Sequence, residues 1–253
     1  MQTEDHQSID IYLIKASKYD DDGYVIRHWR GVLPSNSLAC LYGLTEDVRR
    51  RAGLGADLKW KFEVLDESVH YIDVKKIIRA SRKPRTKTII CLVGVQTNQF
   101  PRASDLAMEF RRAGLTVLVG GFHVSGSIAM LHTTPPEIQA VIDAGCTVVL
   151  GEVEEHWEEI LRDAVEERLQ PIYNYLAELP DLQFKPIPKI HKKYLRKFLT
   201  PNFGTIDCGR GCPFNCSFCT IINLQGRKMR MRAPAALAQE LRYNYFENKV
   251  SFY

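Results

Sequence analysis

Apolar residues along this chain switch between a period of two and a period near four, and the switching marks out strands and helices in turn. Residues 9–14 form a compact β-rich run and read as the first strand. A polar turn, Asp20-Asp21-Asp22-Gly23, follows. Ser35 or Asn36 can cap a helix that carries Leu38, Leu41, Leu44 and Val48 at helical spacing. Residues 60–65 alternate in places and read as a second strand, and Ile72, Ile77, Ile78 and Ala80 line a short helix. Residues 88–95 are almost continuously apolar, the mark of a strand buried on both faces. The pattern then repeats. Ala103, Leu106, Ala107 and Phe110 stripe a helix that stops at Gly114, and residues 115–119 are another buried strand, closed by Gly120-Gly121. Ile138, Val141 and Ile142 mark a helix ahead of a strand over 146–150. An acidic helix over 154–169 turns Trp157, Ile160, Leu161 and Val165 inward and leaves its carboxylates on a solvated face. Strands that are apolar throughout and alternate with helices predict an α/β fold with an open parallel, Rossmann-like sheet.

That rhythm fails after residue 168. Residues 171–188 scatter prolines and aromatics and read as part of a linker over 169–200. The linker ends in a basic segment, 191–197, best read as a solvated stretch near an anionic cofactor rather than an RNA-binding patch. Residues 203–206 are strand-like, a helix starts near Pro234, a favoured first-turn residue, and 249–253 look like the opening of a further strand. The expected organisation is a sheet domain over 1–168, the linker, and a second unit over 201–253.

Composition narrows the class without naming it. With 253 residues, 45% apolar and 25% charged, the chain is that of an ordinary soluble globular protein. A formal charge of +4 does not point to nucleic acid. No run approaches the roughly 20 apolar residues that span a bilayer, and the polar N-terminus has no apolar signal core. Seven cysteines, four of them in one loop, argue against a secreted disulfide framework. Thiolates awaiting a metal need a reducing compartment, so a cytoplasmic protein is expected.

The chemistry concentrates in that loop, Cys208-Gly-Arg-Gly-Cys212-Pro-Phe-Asn-Cys216-Ser-Phe-Cys219. Cys212, Cys216 and Cys219 stand on a Gly- and Pro-rich loop and can converge if that loop wraps a metal, a turn that Gly209, Gly211 and Pro213 favour. Structural zinc sites want four ligands, usually as two separated pairs. Three thiolates suit a 4Fe–4S cluster with one iron left open for a ligand. The array, with Phe218 just before its last cysteine, resembles the signature of the radical S-adenosylmethionine (radical SAM) superfamily. The resemblance implies that the three cysteines bind the cluster, that its open iron chelates S-adenosylmethionine, and that Phe218 packs beside the adenine. It further implies one-electron cleavage of the sulfonium by a donor such as flavodoxin or ferredoxin, giving a deoxyadenosyl radical that takes hydrogen from an unactivated carbon of a small-molecule substrate. Arg227, Lys228, Arg230 and Arg232 follow the loop and can meet carboxylate or phosphate groups, or form a solvated cationic turn. Cys208 reads as a spectator thiol or as a fourth ligand, and the spectator is favoured because a fourth ligand would close the open iron.

In open α/β sheets, ligands sit at the carboxyl ends of the strands. The candidates there are Pro34 and Ser35, Thr97, Gly120, Gly121, His123 and Ser125, then Gly151 and Glu152. The sequence of a Leu-Pro-Ser loop, Val93-Gly94-x-x-Thr97, Gly120-Gly121-x-His123-x-Ser125 and Gly151-Glu152 resembles the cobalamin-binding domain found ahead of many radical SAM domains. It implies that these residues contact cobalamin, and that methylcobalamin often supplies the methyl group. The Asp-x-His-x-x-Gly motif of axial-histidine cobalamin domains is absent, and the usual Gly-Glu-Gly-Glu stands here as Gly151-Glu152-Val153-Glu154. His123 reads equally as a structural residue or as a group bonding a corrin amide or phosphate. Cys40, Cys91 and Cys146 read as buried small hydrophobes. A radical SAM domain is a partial or full (β/α) barrel, of which this chain is expected to hold only the opening, as a truncated product, a fragment or half of a split protein. Two other readings stay open. One is a methylthiotransferase acting on tRNA, which Cys219-Thr-Ile-Ile with Gly226-Arg227 resembles loosely; the other is a non-catalytic cobalamin or iron–sulfur binding fragment.

Overall fold

Along β1 (Ser8–Lys15) the two-residue period of a strand sorts side chains between two cores. Ile9, Ile11 and Leu13 enter one, and Tyr12 and Ile14 the other. The same sorting recurs further along the chain, where Ile89 and Cys91 oppose Ile90 and Leu92. The structure, a computed structural model, describes residues 6–190, 192–199 and 202–253. His191 of the basic segment and the first five residues of the N-terminus lie outside them.

In chain order, β1 is followed by α1 (Asn36–Arg50), β2 (Lys59–Asp66), α2 (Val74–Ser81), β3 (Thr86–Leu92), α3 (Phe100–Arg112) and β4 (Thr116–Gly120). Next come α4 (Phe122–Leu131), α5 (Pro136–Asp143), β5 (Thr147–Gly151), α6 (Trp157–Val165) and β6 (Ile172–Tyr175). The six strands form one sheet in the order β2-β1-β3-β4-β5-β6, and every pairing is parallel. The order reverses between β1 and β3, which opens a crevice at their carboxyl ends. α1 and α6 cover one face with Leu38, Leu44, Val48, Trp157, Ile160 and Leu161. α2, α3 and α5 cover the other with Ile77, Ala103, Leu106, Phe110, Ile138 and Val141. Ser35 caps α1, its hydroxyl accepting from the Leu38 amide at 3.4 Å.

Two elements depart from the expected pattern. α4 starts at Phe122, directly after the glycine pair, a helix that the apolar pattern of the sequence does not mark. The segment read as linker supplies β6, which pairs with β5 over residues 172–175 and carries the sheet beyond residue 168. The chain then returns over α1: the Lys189 amide donates to the Ala39 carbonyl at 2.9 Å. A β-carbon on Gly43 would stand 2.2 Å from the Ile187 carbonyl oxygen, so only glycine lets this strap cross α1 so closely.

The C-terminal part holds α7 (Lys192–Leu195), β7 (Gly209–Arg210), α8 (Ile221–Leu224), β8 (Arg230–Met231) and α9 (Pro234–Asn248). β7 and β8 make a small antiparallel ribbon. Among the described residues no barrel stands here. The strand-like runs at 203–206 and 249–253 meet in one parallel bridge, Phe203 to Phe252.

Candidate functional site

Three strands of the sheet end in glycine turns around a cavity of about 380 Å³. Its walls are Asn36, Ser37, Cys40 and Leu44 of α1, Val93 and Gly94 after β3, Gly120 and Gly121 after β4, Ser125 of α4, and the run from Gly151 to Glu154 after β5. The other side is closed by Asp207, Gly209, Arg210, Leu224 and Gln225. The cavity therefore lies between the carboxyl edge of the sheet and the segment that carries the cysteines. Gly121 has φ +144°, and a β-carbon there would meet the Val95 amide nitrogen at 2.1 Å. The glycine is thus required by the packing of the chain on itself, with or without a ligand.

The predicted residues divide into those that line this cavity and those that do not. Gly120, Gly121, Ser125, Gly151 and Glu152 line it. Ser125 also fixes the β5 turn, because its hydroxyl accepts from the Gly151 amide at 3.1 Å. Pro34 is buried beside the cap of α1, and the Ser35 amide donates to the Tyr194 hydroxyl at 2.8 Å. His123 is buried in the first turn of α4 and packs against Phe100, with ring centroids 4.2 Å apart and planes tilted by 38°. Its Nδ1 lies 3.4 Å from the Thr97 hydroxyl. Burial holds His123 below the usual imidazole range, against a weaker pull from Glu137, so the ring is neutral near pH 7. Thr97 and His123 thus pair with each other, apart from the residues that line the cavity.

Glu152 does not face the cavity alone. Its carboxylate accepts from Arg210 at 2.8 Å and from Arg230 at 3.1 Å. Arg210 also pairs with Glu154 at 2.6 Å and Asp207 at 3.0 Å, and Asp207 pairs in turn with Arg232 at 3.0 Å. Three carboxylates balance three guanidinium groups, so the buried network is formally neutral. Burial pushes the thiol of Cys40, beside Asp207 and Arg210, up to about 12, which keeps it protonated. The network was missed because its members are far apart in sequence. The legible signal was the acidic run after β5 set against a cationic run after the cysteines. Of that cationic run, Arg230 and Arg232 meet carboxylates of the protein itself, while Arg227 donates to the Asn215 side chain at 3.1 Å.

The cysteines sit on the outer side of this network. Cys212 and Cys219 are half-buried and Cys216 and Cys208 exposed, all as free thiols. The Cys212 amide donates to the Gly226 carbonyl at 3.0 Å, closing the loop, and the Cys219 amide donates to the Cys216 carbonyl at 3.2 Å in a turn. Gly211, with φ +101°, lets the chain pass the Lys228 carbonyl, which a β-carbon would strike at 2.2 Å. Phe218 is 90% exposed. Among the described residues no three His, Cys, Asp or Glu side chains stand close enough together to hold a metal ion. The loop has the donors but not the convergence. α8 packs the end of the loop onto the sheet domain, with Leu224 and Thr220 over Gly126 of α4.

No family model and no solved structure matches the chain. It is 33% identical over 161 residues to a bacteriochlorophyllide d C-8(2)-methyltransferase of Chlorobaculum tepidum, covering 59% of this chain and 32% of that protein. It is 26% identical over 187 residues to an uncharacterized methyltransferase of Synechocystis, covering 74% of this chain and 31% of the relative. Over 61 residues it is 36% identical to a hopanoid C-2 methylase of Rhodopseudomonas palustris, 24% of this chain and 11% of that one. The chain spans about a third of the length of the first relatives it matches.

Proposed function

We propose that this chain is the cofactor-holding part of a methyltransferase that uses a 4Fe–4S cluster and S-adenosylmethionine to methylate an unactivated carbon of a small molecule. The observation that carries the reading is the Cys-x3-Cys-x2-Cys loop, closed at its base by a buried ion network against the carboxyl edge of a parallel sheet. The similarity to proteins named for methylating numbered carbon positions supports the same class.

The donor set fits a cluster. Three free thiols on a short, accessible loop match the soft ligands such a cluster takes, and a fourth is not required of them. When bound there, the cluster would supply the single electron that opens S-adenosylmethionine to radical chemistry. Cys212, Cys216 and Cys219 would hold it, and the exposed ring of Phe218 is free to lie against an adenine. The chain's own contribution is positional: the ribbon and α8 hold the loop to the sheet, and the neutral network keeps stray charge from its base.

Cobalamin is the second cofactor of this reading, but the cavity does not fit it whole. A volume of about 380 Å³ falls at the low end of the roughly 300–1,000 Å³ that holds drug-sized ligands, and a corrinoid is larger than those. Glu152 is also committed to two arginines. Gly120, Gly121, Ser125 and Gly151 are the residues left to meet such a ligand.

The test is anaerobic reconstitution with iron, sulfide and hydroxocobalamin, followed by metal analysis of the desalted protein. About four irons per chain are expected, and none in the variant with Cys212, Cys216 and Cys219 all replaced by Ala, while Cys40→Ala keeps them. Iron retained in the triple variant would sink the cluster assignment. Iron without cobalt would remove cobalamin and leave the cluster reading standing.

A further inference from the structure

Glu152 meets two guanidinium groups that come from the two strands closing the cysteine loop. The ribbon register sets Arg210 directly opposite Arg230. Like charges in that arrangement repel, and here the side chains are only 14% and 12% exposed, so water does little to screen them. The ribbon has two residues in each strand, flanked by the Arg232 amide donating to the Cys208 carbonyl at 2.9 Å and the Cys212 amide to the Gly226 carbonyl at 3.0 Å, so few backbone hydrogen bonds oppose that repulsion. The carboxylate of Glu152, 8% exposed, bridges both. Its own place is fixed by the sheet: it follows Gly151, whose φ of +85° and close approach to the Tyr175 carbonyl admit no β-carbon. Arg210 has Glu154 and Asp207 as further partners. Among the described residues, Arg230 meets the carbonyls of Pro180 and Gln225 besides Glu152. The loop over residues 211–229 begins one residue after Arg210 and ends one before Arg230, so whatever holds the ribbon sets the span across which the three cysteines are presented.

We propose that Glu152 is a positioning residue: the counter-ion that keeps the ribbon closed and so fixes the spacing of Cys212, Cys216 and Cys219, rather than a contact to a ligand in the cavity. The part of this that concerns a cluster rests on the function proposed above; the part that concerns the loop rests on the ion pairs alone.

The experiment separates the two. Iodoacetamide alkylation of each cysteine in the metal-free protein is followed by peptide mass spectrometry, and iron uptake is measured in parallel, for wild type, Glu152→Gln, Glu152→Asp, Arg230→Gln and the double variant Glu152→Gln/Arg230→Gln. In Glu152→Gln, the half-buried Cys212 and Cys219 should react about tenfold faster, while the buried Cys91 and Cys146 keep their wild-type rates, and iron uptake should fall. Glu152→Asp keeps the charge and should restore slow alkylation. The double variant removes the facing charge and should recover toward wild type, a rescue that loss of packing alone would not give. Unchanged rates at Cys212 and Cys219 in Glu152→Gln, or no recovery in the double variant, would overturn the proposal. If Glu152→Gln also exposes Cys91 and Cys146, the decision passes to the double variant against Arg230→Gln. Equal protection there supports the proposal, and faster alkylation in the double variant counts against it. A wild type that takes up no iron would defeat the proposed function, yet the alkylation pattern would still decide the role of Glu152.

Discussion

Glu240 of α9 is 1% exposed, and burial pushes its carboxyl up from the ordinary 4.5 to about 8. Arg232 pulls the other way and Asp207 adds to the rise. The folded state therefore binds a proton between about pH 4.5 and 8 that the unfolded chain has released, and stability must fall as pH rises through that window. Glu240→Gln keeps the neutral shape and removes the titration. Its unfolding free energy should be flatter than that of wild type between pH 5 and 8 in urea titrations. A parallel pair of curves would show that Glu240 ionises normally. The glycines give a different lesson at this scale. Gly120-Gly121 was legible as a special turn, but its cause was not: the β-carbon it excludes would strike the backbone of Val95, not a ligand. A glycine pair in sequence reports close approach without saying of what.

At the level of elements, the compact apolar runs of β1 and β3 and the period near four in α1, α3 and α5 were enough to place them, because each buries one continuous apolar stripe or run. α4 was hidden because its first turn, Phe-His-Val-Ser-Gly, has no capping side chain and mixes small and polar residues. β6 was hidden because four residues of alternating exposure in a proline-rich stretch look like linker, and only pairing with β5 makes them a strand. The contact of α1 with α6 shows how such elements are held in register. The Trp157 indole donates to the Thr45 hydroxyl at 2.9 Å between two buried residues. Thr45→Val preserves the volume and leaves the indole N–H without its acceptor. It should cost about 1–3 kcal/mol, read as a lower denaturation midpoint at unchanged slope. No loss would mean that the indole finds another acceptor.

Across the molecule, two kinds of cohesion meet at the cavity. The sheet is held by continuous apolar burial on both faces, with every residue from 9 to 14 buried and β1 paired along its length on both sides. The cysteine segment is held to it by ion pairs between residues as much as 78 positions apart. The first kind leaves a periodic trace in sequence, while the second leaves only an acidic run after β5 and a cationic run after the cysteines with nothing to say that they pair, which is why the sheet was legible and the attachment of the loop was not. The two kinds also differ in local stability, since regions with few buried apolar contacts and exposed backbone open most readily. Amide exchange on the metal-free protein should be slowest in β1, β3 and β4 and fast over residues 214–218, which are all exposed. Reconstitution with iron and sulfide should slow exchange over 214–218 while leaving β1 and β3 unchanged, because ordering the loop adds nothing to a core already closed. Loop amides as protected as those of β1 before iron is added would mean that the loop is already rigid, and the cluster would then have to fit thiols that do not converge.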